Sequence, residues 1–281
     1  MSQVFSTTRA GEPHLVSRLG LRAREVDDGL EGQLAIRADL QGAGGAPLLG
    51  PVGSFVDTIG GVRAAIATFP TAIATADLGL AIDPAARPRE IVTRPRVLRA
   101  GKTNVVTEMV LTDAQTGVRV GYSTMTSAVL STAIPQEYDP RVVTQMFRAD
   151  YTPSDSLYTE MGLEWGSGLG DDAAPGARLG LLPWLGNAMG MLHGGCTFMI
   201  TEAAAFAAGA EAFGAAAPLA VVDAHVRYLN GARAGPVVAT ATPLGRDRDS
   251  LTVQVTQRDD GTGRTTAVST ARVIRAARSK L

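Results

Sequence analysis

An internal repeat constrains this chain more than any other feature, because two copies of one unit must fold alike. The string Asp113-Ala-Gln-Thr-Gly117, followed by Ser123-Thr124, returns 146 residues later as Asp259-Asp-Gly-Thr-Gly263, followed by Ser269-Thr270. Carried backwards, the same offset pairs Leu98 with Leu244, Val92 with Val238, Arg87 with Arg233 and Asp77 with Asp223 without a gap. An offset of 145 then pairs Asp57 with Glu202, Gly50 with Gly195, Gly45 with Gly190 and Leu40 with Leu185. A one-residue indel between matching blocks is the mark of a duplicated fold with a variable loop.

Each copy shows one order of elements. An extended lead segment (Leu30 to Leu40; Arg178 to Leu185) runs into a Gly-rich loop and then a strongly apolar helix. Stretches rich in β-branched residues follow: Ile91 to Leu98, Asn104 to Thr112 and Arg119 to Leu130 in copy one. Copy two has Val221 to Leu229, Val237 to Pro243, Leu251 to Gln257 and Arg264 to Ile274. The Asp-x-x-Thr-Gly strings are placed as hairpin turns between the last two strands, since Asp and Gly supply the turn geometry. One long helix with antiparallel strands is an α+β unit. Each sheet should hold about five or six strands, and the two sheets should join edge to edge, which leaves no open strand edge at the centre. The expected domains are residues 1–130 and 157–281. The connector 131–156, with Pro135, Pro140 and Pro153, is read as carrying one short helix around Pro140 to Arg148.

The two apolar helices carry acids at matching places. If the second opens at Gly195, Glu202 lies seven residues on, about two turns, and on the same face. Glu211, nine residues further, falls on the opposite side. A helix so rich in Ala and Phe is buried almost all round, so one acid reaches solvent and the other is held inside. In copy one Gly50 and Asp57 are also seven apart, Pro51 takes the first helical position, and Arg63 points away from Asp57.

The sharpest string is Asn187-Ala-Met-Gly-Met-Leu-His193-Gly194-Gly195, with Glu202 nine residues after the His. Through these residues the chain resembles the hotdog-fold thioesterase superfamily, in particular its 4-hydroxybenzoyl-CoA and phenylacetate-pathway branch, which carries Asn-x5-His-Gly-Gly and an acid at this spacing. The likeness runs from about Leu15 to Leu130 and again from about Leu157 to Ile274, so it implies a double hotdog: two antiparallel sheets, each wrapped round a central helix. It further implies an acyl-CoA hydrolase without metal or redox cofactor, coenzyme A entering only as part of the substrate. In that family the site lies across a dimer interface, with the Asn and His-Gly loop from one subunit and the acid from the partner's helix. Carried onto a fused pair, Asn187, His193 and Gly194 meet Asp57. Glu202 would instead face a loop with Gly42, Leu48 and Leu49 at the positions of Asn187, His193 and Gly194. One competent site per chain is therefore expected, with Asp57 as its carboxylate. Whether Glu202 works in its place, and whether the acid serves as base or nucleophile, stays open.

The same residues suit acyl transfer apart from any family. Two glycines at a helix start let backbone approach a ligand, and the free N–H groups there, aided by the helix dipole, can stabilise an oxyanion. A carboxylate two turns down and partly removed from water can act as general base or nucleophile, and Asn187 can orient water or the thioester carbonyl. Taken singly, His193 and Asn187 would do no more than satisfy loop backbone, and the glycines would make a tight turn. Arg246 and Arg248 in one loop, and Arg99 and Lys102 in copy one, are candidates to meet the phosphates of coenzyme A, although an exposed turn with alternating charges reads the same way. His14 and His225 have no partner acid at a telling spacing and read as structural.

Other functions are disfavoured. The 26 basic and 27 acidic residues leave a net charge of -1, so no bulk field draws the chain to a phosphate backbone or an anionic membrane. The 7 Phe, 5 Tyr and 2 Trp are too few for a base-stacking platform. One cysteine, Cys196, excludes an intrachain disulfide and a Cys-built metal site, and three scattered histidines offer no ligand cluster. The most apolar stretch, Ala203 to Val222, is broken by Glu211 and Pro218, and Met1-Ser-Gln-Val4 lacks the basic start of a signal peptide. The expectation is a soluble cytoplasmic protein with an acyl-CoA substrate, no nucleic-acid or membrane partner, and association of two or more chains. The rival reading is a non-catalytic acyl-CoA binding or sensing protein. A hotdog hydratase would need a different Asp/His arrangement, and a regulator would need a DNA-binding segment for which neither end leaves room.

Overall fold

The computed structural model describes residues 13–26, 29–134, 139–140, 151–187 and 189–276. A short helix α1 (Leu15–Leu19), stopped by Gly20 in the left-handed region, leads into β1 (Leu21–Val26) and β2 (Gly29–Ala35). Helix α2 (Leu49–Thr68) follows, then β3 (Thr71–Ile82), β4 (Glu90–Thr93), β5 (Arg96–Ala100), β6 (Asn104–Asp113) and β7 (Arg119–Ala133). The series then begins again with α3 (Leu157–Met161), stopped by Gly162 in the same conformation, and with β8 (Glu164–Gly166) and β9 (Gly176–Leu179). Helix α4 (Gly194–Phe213) precedes β10 (Leu219–Tyr228), β11 (Val237–Arg246), β12 (Ser250–Asp259) and β13 (Arg264–Arg275).

These elements make an α+β molecule with one large antiparallel sheet, ordered β1-β2-β4-β6-β7-β3-β10-β13-β12-β11-β9-β8, with β5 on β6. The seam is β3 against β10, where Asp77 faces Arg227, Gly79 faces His225 and Ala81 faces Asp223. Gly79 and His225 are 146 residues apart, so the register is unchanged when each residue is exchanged for the one at that offset. Both Asp-x-x-Thr-Gly strings form hairpin turns: the N–H groups of Gly117 and Gly263 bond the carbonyls of Asp113 and Asp259 at 2.8 Å, with φ of 70° and 69°.

Helices α2 and α4 run antiparallel against one another and are buried through Phe55, Val56 and Ile59 and through Phe198, Met199 and Ile200. Glycine lets their backbones touch. A Cβ on Gly53 would stand 2.4 Å from the Phe198 ring, and one on Gly195 would stand 2.1 Å from Ser54 Oγ. Asp57 and Glu202 are both buried at this crossing, whereas Glu211 is exposed as expected.

Several boundaries differ from the expectation. Beyond boundaries, β1, β3, β8 and the short helices α1 and α3 are elements that the sequence did not predict; β1 and β3 lack a clean alternation of apolar and polar residues. In β3 the cause is a bulge between Thr75 and Asp77, which inserts a residue and shifts the alternation. The single strand expected from Ile91 to Leu98 divides in two at Arg94-Pro95, because Pro95 has no N–H to give to a ladder. Pro51 is third rather than first in α2, still within the turn whose N–H groups lack intrahelical acceptors. Strand β7 continues to Ala133, into the expected connector, and beyond Pro140 the helix expected to Arg148 lies outside the described residues. Among the described residues no helix is long and apolar enough to cross a membrane.

Candidate functional site

The start of α4 is built by His193, which is its N-cap rather than a residue before it. Its backbone is extended (φ -60°, ψ 136°) and its Nδ1 accepts the Gly195 N–H at 3.0 Å. An accepting Nδ1 places the ring proton on Nε2. Burial, with the neighbouring His14 adding to it, lowers the His193 pKa to about 3, so the ring is neutral. The next N–H, that of Gly194, has no acceptor among the described residues.

Asp57 reaches this helix start from α2. Its Oδ2 stands 3.8 Å from His193 Nδ1, and a Cβ on Gly194 would lie 2.6 Å from the same oxygen. Thr75 on β3 donates its hydroxyl to Oδ1 at 2.8 Å, and the Gly195 N–H, given to His193 Nδ1, lies close enough to favour the charged carboxylate. Burial dominates these hydrogen bonds and raises the Asp57 pKa to about 6. The bulge explains how Thr75 comes to face the helix: Leu78 and Leu80 point inward, and only an inserted residue lets Thr75, three before Leu78, do the same. Tyr228 on β10 closes the back of the site, its hydroxyl donating to the Gly194 carbonyl at 3.2 Å.

The equivalent place around Glu202 is saturated. The N–H groups of Leu49 and Gly50 donate to Oε1 and Oε2 at 2.7 and 2.8 Å, and the Tyr158 hydroxyl also donates to Oε2. Burial still outweighs these bonds and raises the Glu202 pKa to about 7. One methylene separates the two halves. Glu202 is long enough to take both first N–H groups of α2, while the shorter Asp57 takes neither of those of α4: the Gly195 N–H goes to His193 Nδ1, and that of Gly194 has no acceptor among the described residues. Tyr158 has no counterpart at the other half, because Leu15-Val-Ser-Arg-Leu-Gly20 matches Leu157-Tyr-Thr-Glu-Met-Gly162 and puts Val16 at that position.

The structure thus brings Asp57, His193, Gly194 and Gly195 together and sets Glu202 apart against the start of α2. Asn187 is turned into its own loop, where Oδ1 accepts the N–H groups of Met189 and Met191 at 2.9 and 3.2 Å, so its oxygen does not face Asp57 as expected. Arg246 packs over Phe213, the last residue of α4, and Arg248 pairs with Asp249. A 20-residue helix spans about 30 Å, so both arginines lie at the end of α4 remote from Gly194. Arg99 and Lys102 are exposed around the β5–β6 turn. The adjoining Thr103 carbonyl bonds Val129, which faces Ile73 close to the end of α2. Neither remaining histidine is without a partner. His225 Nε2 meets Asp77 Oδ1 at 2.7 Å across the seam, and His14 stands beside His193. Thr75, Tyr228 and His14 carried no motif, yet comparing the copies marks them: Val221, Ile82 and Ser156 occupy the equivalent positions.

Residues 189–266, which span α4 and most of the following strands, match the family model described as the thioesterase superfamily. Solved structures share the fold over nearly the whole chain. A protein with a hot dog fold from Alicyclobacillus acidocaldarius is 12% identical, with 96% of this chain and 99% of that one covered at a TM-score of 0.59. An acyl-CoA thioesterase II from Mycobacterium marinum is 11% identical, covering 95% and 100% at 0.60. An acyl-ACP thioesterase from Bacteroides thetaiotaomicron is 11% identical, covering 90% and 98% at 0.55. A search of curated proteins found no match. The chain therefore has the hotdog fold, and α4 with most of the strands after it carries the thioesterase-superfamily sequence pattern.

Proposed function

We propose that this protein is an acyl-thioester hydrolase, converting an acyl-CoA or a related acyl thioester to free acid and thiol at one site between two hotdog repeats, residues 1–130 and 157–281. The observation that carries the reading is the Asp57 carboxylate held against the start of α4 beside a Gly194 N–H that has no acceptor among the described residues. Asp57, with a pKa of about 6, is ionised at neutral pH and basic enough to take a proton from water. The water oxygen adds to the thioester carbonyl carbon, and the carbonyl oxygen becomes an oxyanion that the Gly194 N–H and the α4 dipole stabilise. Collapse breaks the C–S bond, and the leaving thiolate takes up the proton that Asp57 holds. No cofactor takes part beyond the coenzyme A of the substrate.

The saturation of Glu202 supports one working site per chain rather than two, and the spacing of His193, Gly194 and Gly195 favours the 4-hydroxybenzoyl-CoA and phenylacetate branch. Arg99 and Lys102, beyond the end of α2, are better placed than Arg246 and Arg248 to meet the phosphates of a coenzyme A lying along that helix. The proposed setting is the cytoplasm, with further association of whole chains. The experiment is a panel of acyl-CoA and acyl-carrier-protein thioesters assayed by release of free thiol. Turnover of at least one, lost in Asp57→Asn and kept in Glu202→Gln, is the expected result. Binding of acyl-CoA without turnover of any member would overturn hydrolysis in favour of a binding or sensing protein.

A further inference from the structure

We propose that His14, at the N-cap of α1, is a positioning residue for the site, holding the turn that delivers His193. The inference rests on the thioesterase reading of that site and deepens it. His14 is itself anchored, since its carbonyl accepts the Arg18 N–H at 3.0 Å at the start of α1, whose Leu15 and Leu19 are fully buried. Its Nε2 bonds the Gly186 carbonyl. A carbonyl only accepts, so Nε2 carries the proton and the ring is a donor there.

Gly186 lies at the base of the turn. It forms an isolated bridge with Leu192, and the His193 N–H returns to the Leu185 carbonyl at 2.8 Å. The His14 ring also stands edge-on to the His193 ring, with centroids 6.1 Å apart and planes at 65°. One side chain therefore touches both the backbone that starts the turn and the ring that ends it. Two of the chain's three histidines meet at this place. In the other half, Ser156 replaces His14 and spends its hydroxyl capping α3, Gln41 replaces Gly186, and Leu48 replaces His193. A clamp needed only for folding would serve both halves, yet among the described residues it stands only beside Asp57 and the Gly194 N–H that lacks an acceptor there.

The consequence for the reaction follows from the Gly195 N–H, which both His193 Nδ1 and the Asp57 carboxylate approach. If the His193 ring swings away, that N–H goes wholly to Asp57, draws the carboxylate toward the helix axis and weakens it as a base. Misplacement on the scale of an ångström commonly costs about 10- to 100-fold in turnover.

The test compares His14→Leu, which loses the donor, with His14→Gln, which keeps an N–H for Gly186. The expected result is a His14→Leu protein whose melting stays near that of wild type, whose kcat falls about 10-fold or more and whose KM moves less than its kcat, with His14→Gln restoring most of the loss. Equal kcat in wild type and His14→Leu, or a Gln variant as poor as the Leu variant, would overturn it. A second readout does not depend on turnover. In nitrogen-15 imidazole spectra His193 should show a single Nε2–H tautomer in wild type and His14→Gln, and a mixture in His14→Leu. An unchanged His193 tautomer in the Leu variant would sink the positioning role even if no thioester proves to be a substrate.

Discussion

Asp57→Asn should abolish turnover and, at the same time, stabilise the protein at neutral and alkaline pH. Burial raises the folded-state pKa of Asp57 from 3.8 to about 6. The folded protein therefore holds this proton more tightly than the unfolded chain does, so the group's contribution to stability is full below pH 3.8 and is lost as pH rises through about 6. About two units at 1.36 kcal/mol each give a penalty on the order of 3 kcal/mol above that range. Asn carries no charge and can still be satisfied, its Oδ1 accepting the Thr75 hydroxyl as Asp57 Oδ1 does. A gain of about 1 to 3 kcal/mol at pH 8 and almost none at pH 4 is expected, alongside a loss of about 100-fold or more in kcat. Glu202→Gln should behave differently, because its oxygens meet the N–H of Leu49 on one side and of Gly50 on the other. An amide group strands one of those N–H groups at a cost of about 1 to 3 kcal/mol, which offsets the relief of removing a buried charge, while turnover stays within a few-fold of wild type. Urea denaturation of the three proteins at pH 4 and pH 8, with thiol-release kinetics, measures both effects. An Asp57→Asn protein less stable than wild type at pH 8, or one that still turns over, would refute the placement of a buried, working carboxylate.

Two further outcomes follow from the same geometry. Gly194→Ala puts a methyl 2.6 Å from Asp57 Oδ2 and should lower kcat about 100-fold by displacing the carboxylate, whereas Gly195→Ala presses 2.6 Å from the Ser54 Cα and should instead destabilise by about 1 to 3 kcal/mol; steady-state kinetics and denaturation of each variant separate the two. The logarithm of kcat/KM should rise with unit slope toward a plateau above about pH 6, following Asp57. His193, held neutral with a pKa of about 3, adds no second step between pH 4 and 8, so a two-proton acid limb would contradict that assignment.

Local pattern carried much of this molecule. The 146-residue offset, the Asp-x-x-Thr-Gly turns and the seven-residue spacing of Gly50 to Asp57 and Gly195 to Glu202 are short-range features, and periodicity alone turns them into hairpins and into buried acids on matching helix faces. The His-Gly-Gly string located the start of α4, because an N-cap residue followed by glycines is a local backbone signal. Partners from other strands were not legible. Thr75 faces inward only because a bulge moves it there, and His14 matters only because α1 of one copy lies against the loop of the other. Asn187 looked equal to His193 in sequence but is consumed by its own turn, since the short Asn side chain reaches the N–H groups of Met189 and Met191 first. Likewise, two acids at equivalent positions differ by one methylene, and only the spacing of α2 from α4 makes that length decide which helix start is closed. Sequence by itself determined the two long helices, most of the strands after them and the faces on which the acids lie, because these depend on neighbours along the chain, whereas β3, β1, β8 and the short helices α1 and α3 carried no such pattern. Tertiary structure decided which acid meets which loop, because that depends on the register of β3 against β10 and on how closely two glycine-bearing helices approach.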